Sequence, residues 1–333
     1  MGLQGPFVTH KGYIGGVAVH PTHPLVAIVG FDRVLYLLNR ESGDVLWHTQ
    51  LQAAGVGKPK FIGDLLIVPT GDGLLTTLNI KSRKELWKRQ FSGLIRAPIS
   101  HEGNMIFVCD GTNSVYALDL ESGDVVWQHR REQPKKFSLQ GESKPLVSKD
   151  RLFIGYSDGR VIAFNAKRGD ILWQRDLAPQ VNMFEDVDAD LTLIGGTLYA
   201  ASAASGLYAL TAKEGKVLWF YPIAGIVTMS SFEGDLILGL QHGELGRFSV
   251  FDRSFSWRVR FGTDGAPQRL VSFPYGVALT VSRGGLYVLD AHSGELRDQF
   301  SAGSGLQGSI AFSEDGWLYT SSLNGYLYAF SPR

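Results

Sequence analysis

Residues 115–129 read VYALDLESGDVVWQH, and related stretches recur along the chain. The first seven copies read LYLLNRESGDVLW, LTTLNIKSRKELW, VYALDLESGDVVW, VIAFNAKRGDILW, LYALTAKEGKVLW, LGRFSVFDRSFSW and LYVLDAHSGELRD, and a truncated eighth copy reads LYAFSPR. Six copies end on Trp47, Trp87, Trp127, Trp173, Trp219 and Trp257, and the seventh ends on Asp298. These positions lie 40, 40, 46, 46, 38 and 41 residues apart, a period typical of four-stranded propeller blades.

Each copy consists of short apolar runs separated by turn signals. Runs such as LYAL and VLW flank ESGD or KEGK turns, and no stretch of 12 residues has helical periodicity, which disfavours helical repeats. In a strand through residues 207–210, Leu207 and Ala209 point to one side while Tyr208 and Leu210 point to the other. Both faces are therefore apolar, as a sheet packed between two neighbouring blades requires.

One position of the repeated turn favours glycine, because a positive φ is easily adopted without a Cβ. Five copies have glycine there, namely Gly43, Gly123, Gly169, Gly215 and Gly294. The second and sixth copies have Arg83 and Arg253 instead, which predicts that those two turns differ in type.

The eight copies predict an all-β fold, an eight-bladed β-propeller of four-stranded antiparallel blades, with residues 1–333 forming a single domain. The sequence stops after the third strand of the eighth copy. The run from Pro6 to His10 precedes the first full copy and is placed to supply the missing strand. The ring is therefore predicted to close with an N-terminal strand, which removes an open sheet edge.

The overall composition argues against several classes of partner. Lysine and arginine total 32 residues, as do aspartate and glutamate, so no net charge attracts nucleic acid or an anionic membrane. Cys109 is the only cysteine, which excludes an internal disulfide and a thiolate metal cluster. The start MGLQGPFVTHKGY lacks the features of a secretory signal, and no apolar run of 18 residues follows. We therefore expect a soluble chain, with membrane association only through a lipid anchor that this chain lacks.

The repeats resemble the PQQ-like propeller repeat, through Ala117, Asp119, Ser122, Gly123 and Trp127. This resemblance extends over essentially the whole chain and implies that the tryptophan packs between adjacent blades. Quinone-dependent dehydrogenases share the repeat, but the chains of that class are nearly twice as long as this one and have a vicinal cysteine disulfide over the cofactor. With a single cysteine, this chain is expected to bind no quinone cofactor.

The middle of the chain contains two distinctive segments, FSLQGESKPLV, Phe137 to Val147, and EDVDADLTLIGGTLYA, Glu185 to Ala200. These segments look like loops of the BamB family, lipoprotein propellers of the outer-membrane β-barrel assembly machinery. The resemblance implies a non-enzymatic scaffold at the periplasmic face of the outer membrane that binds the periplasmic domains of the barrel-forming subunit. The partner-binding residues that it implies are Phe137, Leu139, Gln140, Asp186 and Asp188.

The repeat spacing indicates the same region independently. Each 46-residue interval exceeds 40 by six residues, which places insertions at 130–142 and 176–188 in consecutive blade connections. Insertions in neighbouring blades are expected on one face, close together. They add Met183 and Phe184 to the apolar residues already named, beside charged ones, as in a protein interface. The alternative is that these side chains fold back onto the blades.

Other motifs do not fit a metal site or an enzyme. The string DVDAD, from Asp186 to Asp190, resembles the start of a calcium loop, but Leu191 and Thr197 stand where that loop needs glycine and glutamate. The string GSGLQG, 303–308, is followed by strand-like residues where a dinucleotide site needs a helix. We predict no catalytic residue, metal or cofactor. The alternatives are a propeller with an unrelated partner and a quinone- or metal-dependent enzyme.

Overall fold

The computed structural model describes residues 2–3, 8–9, 14–131, 143–177, 189–202, 205–262, 265–274, 276–282, 284–303, 305–306 and 310–331. In these ranges the chain forms strands and turns and no α-helix. The strands form eight antiparallel sheets, the eight blades of a β-propeller, and the fold class predicted from the repeats is confirmed.

Two short strands precede the first blade, β1 (Gly2–Leu3) and β2 (Val8–Thr9). Blade 1 contains β3 (Ile14–Val19), β4 (Leu25–Gly30), β5 (Val34–Asn39) and β6 (Val45–Gln50). Blade 2 contains β7 (Lys60–Ile62), β8 (Leu65–Pro69), β9 (Leu74–Asn79) and β10 (Lys84–Gln90). Blade 3 contains β11 (Ser100–Glu102), β12 (Met105–Asp110), β13 (Ser114–Asp119) and β14 (Val125–Arg130). Blade 4 contains β15 (Leu146–Ser148), β16 (Arg151–Gly155), β17 (Arg160–Asn165) and β18 (Ile171–Asp176).

The remaining blades follow the same order. Blade 5 contains β19 (Thr192–Ile194), β20 (Thr197–Ser202), β21 (Gly206–Thr211) and β22 (Val217–Tyr221). Blade 6 contains β23 (Ile226–Phe232), β24 (Asp235–Leu240), β25 (Glu244–Ser249) and β26 (Ser254–Arg260). Blade 7 contains β27 (Pro267–Phe273), β28 (Gly276–Val281), β29 (Gly285–Leu289) and β30 (Leu296–Phe300). Blade 8 contains β31 (Ala311–Phe312), β32 (Leu318–Ser321) and β33 (Tyr326–Ser331).

Neighbouring blades contact each other through their first strands and through their faces. The first strands lie nearest the ring axis, where β3 contacts both β7 and β31, and β27 contacts both β23 and β31. A buried apolar cluster fills each of the eight spaces between blades. In β21, Leu207 and Ala209 face blade 6 while Tyr208 and Leu210 face blade 4, as the alternation predicts.

N-terminal residues complete the eighth blade. β33 pairs antiparallel with both β1 and β2, with Val8 opposite Leu327 and Leu3 opposite Phe330. The predicted closure is confirmed: β2 lies within the run from Pro6 to His10, and β1 extends the pairing. The edge of β33 is thereby covered, and the ring has no open edge at its seam.

The fourth strands of blades 1 to 7 share a β-bulge, which in blades 1 to 6 turns the repeated tryptophan inward. In blade 3, Ala117 lies opposite Trp127 but Leu118 lies opposite Val125, so Val126 is left without a partner. Val126 is 52% exposed, whereas Trp127 is 9% exposed. The residues at the corresponding bulges are Leu46, Leu86, Val126, Leu172, Leu218, Ser256 and Arg297.

Four of the tryptophans dock onto the following blade with a hydrogen bond. The indole N–H groups of Trp87, Trp127, Trp173 and Trp257 donate to backbone carbonyls of the next blade at 3.0, 2.8, 3.0 and 3.1 Å. Each indole lies against the turn glycine of that blade. A Cβ built on Gly123 would lie 2.4 Å from Trp87 Cδ2, closer than any side chain can come. Glycine therefore permits the contact as well as the turn.

The prediction that the turns with Arg83 and Arg253 differ in type is wrong. Arg83 has a φ of 59° and Arg253 a φ of 55°, in the same left-handed region as Gly123 at 73°. The N–H of each donates to the carbonyl four residues earlier, as it does at Gly123. The hairpin hydrogen bonds impose the turn even on a residue with a Cβ. The cost appears at the neighbouring indole: among the described residues, neither Trp47 nor Trp219 makes the hydrogen bond to the next blade.

An ion pair joins the last blade to the first. Arg40 Nη2 donates to Asp315 Oδ2 at 2.6 Å, and the Tyr319 hydroxyl donates to the Arg40 carbonyl at 3.2 Å. The Arg40 side chain is 10% exposed and that of Asp315 48%. Asp315→Ala is expected to lower the free energy of unfolding by about 1–2 kcal/mol, because a nearly buried guanidinium loses its partner. Chemical denaturation measures the loss.

A surface ion pair of the same length supplies the control. Arg168 Nε lies 2.6 Å from Asp170 Oδ2, but both side chains are exposed. Asp170→Ala is expected to cost less than about 0.5 kcal/mol, since water replaces the partner. Equal losses for the two variants would contradict a stabilising role of the seam pair.

Candidate functional site

The seven residues predicted to bind a partner lie outside the described residues. They are Phe137, Leu139, Gln140, Met183, Phe184, Asp186 and Asp188. Their segments, 132–142 and 178–188, are here named the first and second long loops. The structure describes the residues at both ends of each loop, and these ends define the site.

The ends of the first long loop attach to blade 4. Arg131 Nη2 donates to Asp158 Oδ2 at 2.6 Å, and its guanidinium carbon lies 4.9 Å from the centre of the Tyr156 ring. At the other end, Ser143 Oγ donates to the Gly155 carbonyl at 3.0 Å and accepts the Gly155 N–H at 3.1 Å. Burial raises the pKa of Tyr156 well above its usual value, so the ring under the guanidinium stays neutral. Both ends are thus fixed to the end of β16 and the turn after it.

The second long loop begins at the same turn. Leu177 is buried, and its N–H donates to the Gly159 carbonyl at 2.9 Å. Its own carbonyl accepts the hydroxyls of Tyr208 at 2.5 Å and Ser205 at 3.1 Å, both from blade 5. The chain therefore enters this loop held between blades 4 and 5.

A direct hydrogen bond joins the residues that follow the two loops. The Lys144 N–H donates to Asp190 Oδ1 at 3.0 Å. Asp158 and Gly159, adjacent in one turn, hold the residues that precede the two loops. All four loop ends therefore meet on one face, around the β16–β17 turn.

Sequence reasoning missed a group of basic side chains beside these loop ends. Lys144 is one of them, and Lys58, Lys60 and Arg269 come from the first-strand segments of blades 2 and 7. Burial lowers the pKa of Lys58 and of Lys60 to about 8. A Lys-Pro pair at the start of two first strands, at residues 58–59 and 144–145, is a signal that could have drawn attention to them.

The described ranges contain neither a candidate group of metal ligands nor a candidate membrane-spanning helix. No group of three or more His, Cys, Asp or Glu side chains in these ranges could hold a metal ion. No helix in the same ranges is long and apolar enough to cross a membrane. Cys109 is buried in β12.

The family model for the outer membrane protein assembly factor BamB matches residues 15–259. That is most of the propeller, from blade 1 into blade 6. The chain belongs to this family. The match includes both long loops and all four of their ends.

Relatives both inside and outside this family share low sequence identity with the chain, over part of its length. BamB of Shewanella oneidensis is 24% identical over 146 residues, which are 41% of this chain and 37% of that protein. Tetrathionate hydrolase of Acidithiobacillus ferrooxidans is 24% identical over 96 residues, 28% of this chain and 19% of that protein. The chain thus matches well under half the length of either protein.

A solved family member has the same architecture. The crystal structure of BamB from Moraxella catarrhalis superposes with a TM-score of 0.82 at 19% identity, over 95% of this chain and 96% of that chain. This likeness shows the fold, the eight-bladed ring.

Proposed function

We propose that the chain, acting as one propeller domain, is a non-enzymatic scaffold that supports the assembly of outer-membrane β-barrel proteins. In this proposal the two long loops bind the periplasmic domains of a barrel-assembly subunit. The observation that carries the proposal is the convergence of the four loop ends, with Lys144 and Asp190 hydrogen-bonded at 3.0 Å. The proposed location is the periplasmic face of the outer membrane, with attachment through a lipid anchor.

The attachment of the loop ends would allow a non-enzymatic scaffold to bind its partner tightly. Arg131 and Leu177 are held by an ion pair and by backbone hydrogen bonds to blade 4. A fixed base lowers the conformational entropy that loops lose on binding, so more of the contact energy appears as affinity. Binding requires no reaction centre, and the family match extends over far more of the chain than the match to tetrathionate hydrolase does.

The residues of the two loops supply the two components of an interface. Phe137, Leu139, Met183 and Phe184 provide the apolar centre, and such central side chains usually account for most of the binding energy. Gln140, Asp186 and Asp188 provide polar and acidic groups that select a basic or polar surface.

The double variant Leu139→Ala/Asp186→Ala tests the proposal. Its dissociation constant for the purified periplasmic domains of the barrel-assembly subunit is expected to rise at least about tenfold, since one central apolar contact and one charge are lost. Surface plasmon resonance measures the constants, and circular dichroism verifies that the variant is folded.

An exposed leucine and an exposed glutamate on blade 5 provide the control. Leu218 is 52% exposed, and the side chain of Glu214 is 49% exposed. Leu218→Ala/Glu214→Ala removes one leucine and one carboxylate away from the long loops and is expected to bind as wild type does. Wild-type affinity in the folded loop variant would overturn the proposal.

A further inference from the structure

A cluster of cationic side chains gathers at the ring axis, beside the face that carries the long loops. Lys58 and Lys60 come from blade 2, Lys144 from the start of blade 4 and Arg269 from blade 7. The positive charges of Arg269, Lys144 and Lys60 all act on Lys58, and among the described residues the negative charge of Asp190 alone opposes them there. Side chains from three separate blades thus lie close enough to Lys58 to act on its charge, and these four side chains are here named the channel cluster.

Lys58 is held in place by a contact that crosses the first strand of blade 1. Its Nζ donates to the Ile310 carbonyl of blade 8 at 3.0 Å. Gly16 of blade 1 lies beneath, and a Cβ there would come within 2.9 Å of Lys58 Cα and 2.6 Å of the Gly57 carbonyl oxygen. Glycine therefore allows the Lys58 segment to lie against blade 1. Of the three Lys58 N–H donors, described residues accept one.

Among the described residues, the positive charge of the cluster exceeds the negative charge that acts on it. Among the residues that the structure describes, no carboxylate forms an ion pair with any of the four cationic groups. Asp190 uses one carboxylate oxygen to accept the backbone N–H of Lys144. Burial and the neighbouring cations lower the pKa of Lys58 to about 8, and burial and Lys144 lower that of Lys60 to about 8, so the protonated cluster is under electrostatic strain.

We propose that the channel cluster binds a small multivalent oxyanion. Such an anion offers several oxygens that accept the free ammonium N–H groups and the guanidinium fork, and its charge offsets the excess of cations. Lys144 and Arg269 are exposed to solvent, whereas Lys58 and Lys60 are half-buried. The site uses none of the seven residues assigned to partner binding, and Lys144 joins the loop ends through its backbone N–H and not its ammonium group, so the two proposals are tested separately.

Calorimetric titration with sulfate at pH 7 tests the proposal, at constant ionic strength kept with sodium chloride. The wild-type chain is expected to bind one sulfate in a saturable manner. Lys58→Met and the double variant Lys144→Gln/Arg269→Gln are expected to weaken binding at least about tenfold, because each removes donors and charge. The exposed Lys84, on the outer strand of blade 2, provides the control Lys84→Gln with unchanged affinity.

A pH series adds a second readout, since sulfate keeps its charge throughout. Between pH 7 and 9.5 the affinity is expected to fall as Lys58 and Lys60 lose protons near pH 8. Lys144, Arg269 and Asp190 are the other charged groups that act on Lys58. His101, whose pKa burial lowers, stays neutral over this range. No saturable binding, or wild-type affinity in the folded Lys144→Gln/Arg269→Gln variant, would overturn the proposal. Because the double variant changes only exposed side chains, we expect it to fold even if Lys58→Met does not.

Discussion

Trp127→Ala is expected to lower the free energy of unfolding by about 3–5 kcal/mol, the usual cost of truncating a buried tryptophan. The indole is 9% exposed and lies in the apolar cluster between blades 3 and 4. Its ring stacks on Phe164 with 5.8 Å between centroids, and its N–H donates to the Ala166 carbonyl at 2.8 Å. Alanine would leave a cavity and remove the donor from a buried carbonyl.

Guanidinium chloride denaturation followed by far-ultraviolet circular dichroism measures this loss, because the backbone signal reports the whole ring. Val126→Ala is the matched control. Val126 precedes Trp127 in the same strand but stands at the bulge with 52% of its surface exposed, so its truncation is expected to change stability by less than about 0.5 kcal/mol. If the two variants lost equal stability, the tryptophan would not be the docking residue between blades.

The repeat and its alternation predicted the fold because they depend on local geometry. Side chains at successive positions of a strand must point to opposite faces, so the apolar residues on both sides of β21 required a neighbour on each side. The missing fourth strand of blade 8 required a partner from elsewhere, which β2 supplies. β1 was not predicted, because the two residues Gly2 and Leu3 have no alternating pattern to detect.

The channel cluster could not be predicted in the same way, because its members come together only when the ring closes. Lys58 and Arg269 belong to blades 2 and 7, and no spacing in the sequence links them.

The prediction about the turns with Arg83 and Arg253 was wrong for a different reason. Residue preference indicated another conformation, but hydrogen bonds across the hairpin impose the left-handed one.

The position of the two long loops illustrates an intermediate case. The 46-residue intervals located both insertions, since an excess over the repeat can be read from the sequence. The contacts at their ends could not be read there. Arg131 pairs with Asp158, and Leu177 bonds to Gly159, because the β16–β17 turn lies beside the residues that precede the two insertions.

Gly169→Ala is expected to destabilise the protein by about 2–5 kcal/mol, for two separable reasons. Gly169 has a φ of 79°, where a residue with a Cβ costs about 1–2 kcal/mol. In addition, its Cβ would lie 2.6 Å from Trp127 Cδ2, and relieving such an overlap in a packed core costs about 1–3 kcal/mol. Gly103→Ala isolates the first cost, because Gly103 has a φ of 56° and no atom within 4 Å of its Cβ position.

A double-mutant cycle isolates the second cost. In the Trp127→Ala background the ring is gone, so adding Gly169→Ala is expected to cost only the backbone strain of about 1–2 kcal/mol, as Gly103→Ala does. The coupling energy between Gly169 and Trp127 then measures how much the glycine contributes to docking the indole. Arg253 is a natural case of a residue with a Cβ at the position of this glycine. Its guanidinium carbon lies 5.6 Å from the centre of the Trp219 ring. Among the described residues, Trp219 makes no hydrogen bond to the next blade. A coupling near zero, measured by denaturation of the four variants, would mean that the glycines serve the turns alone and that indole docking is independent of them.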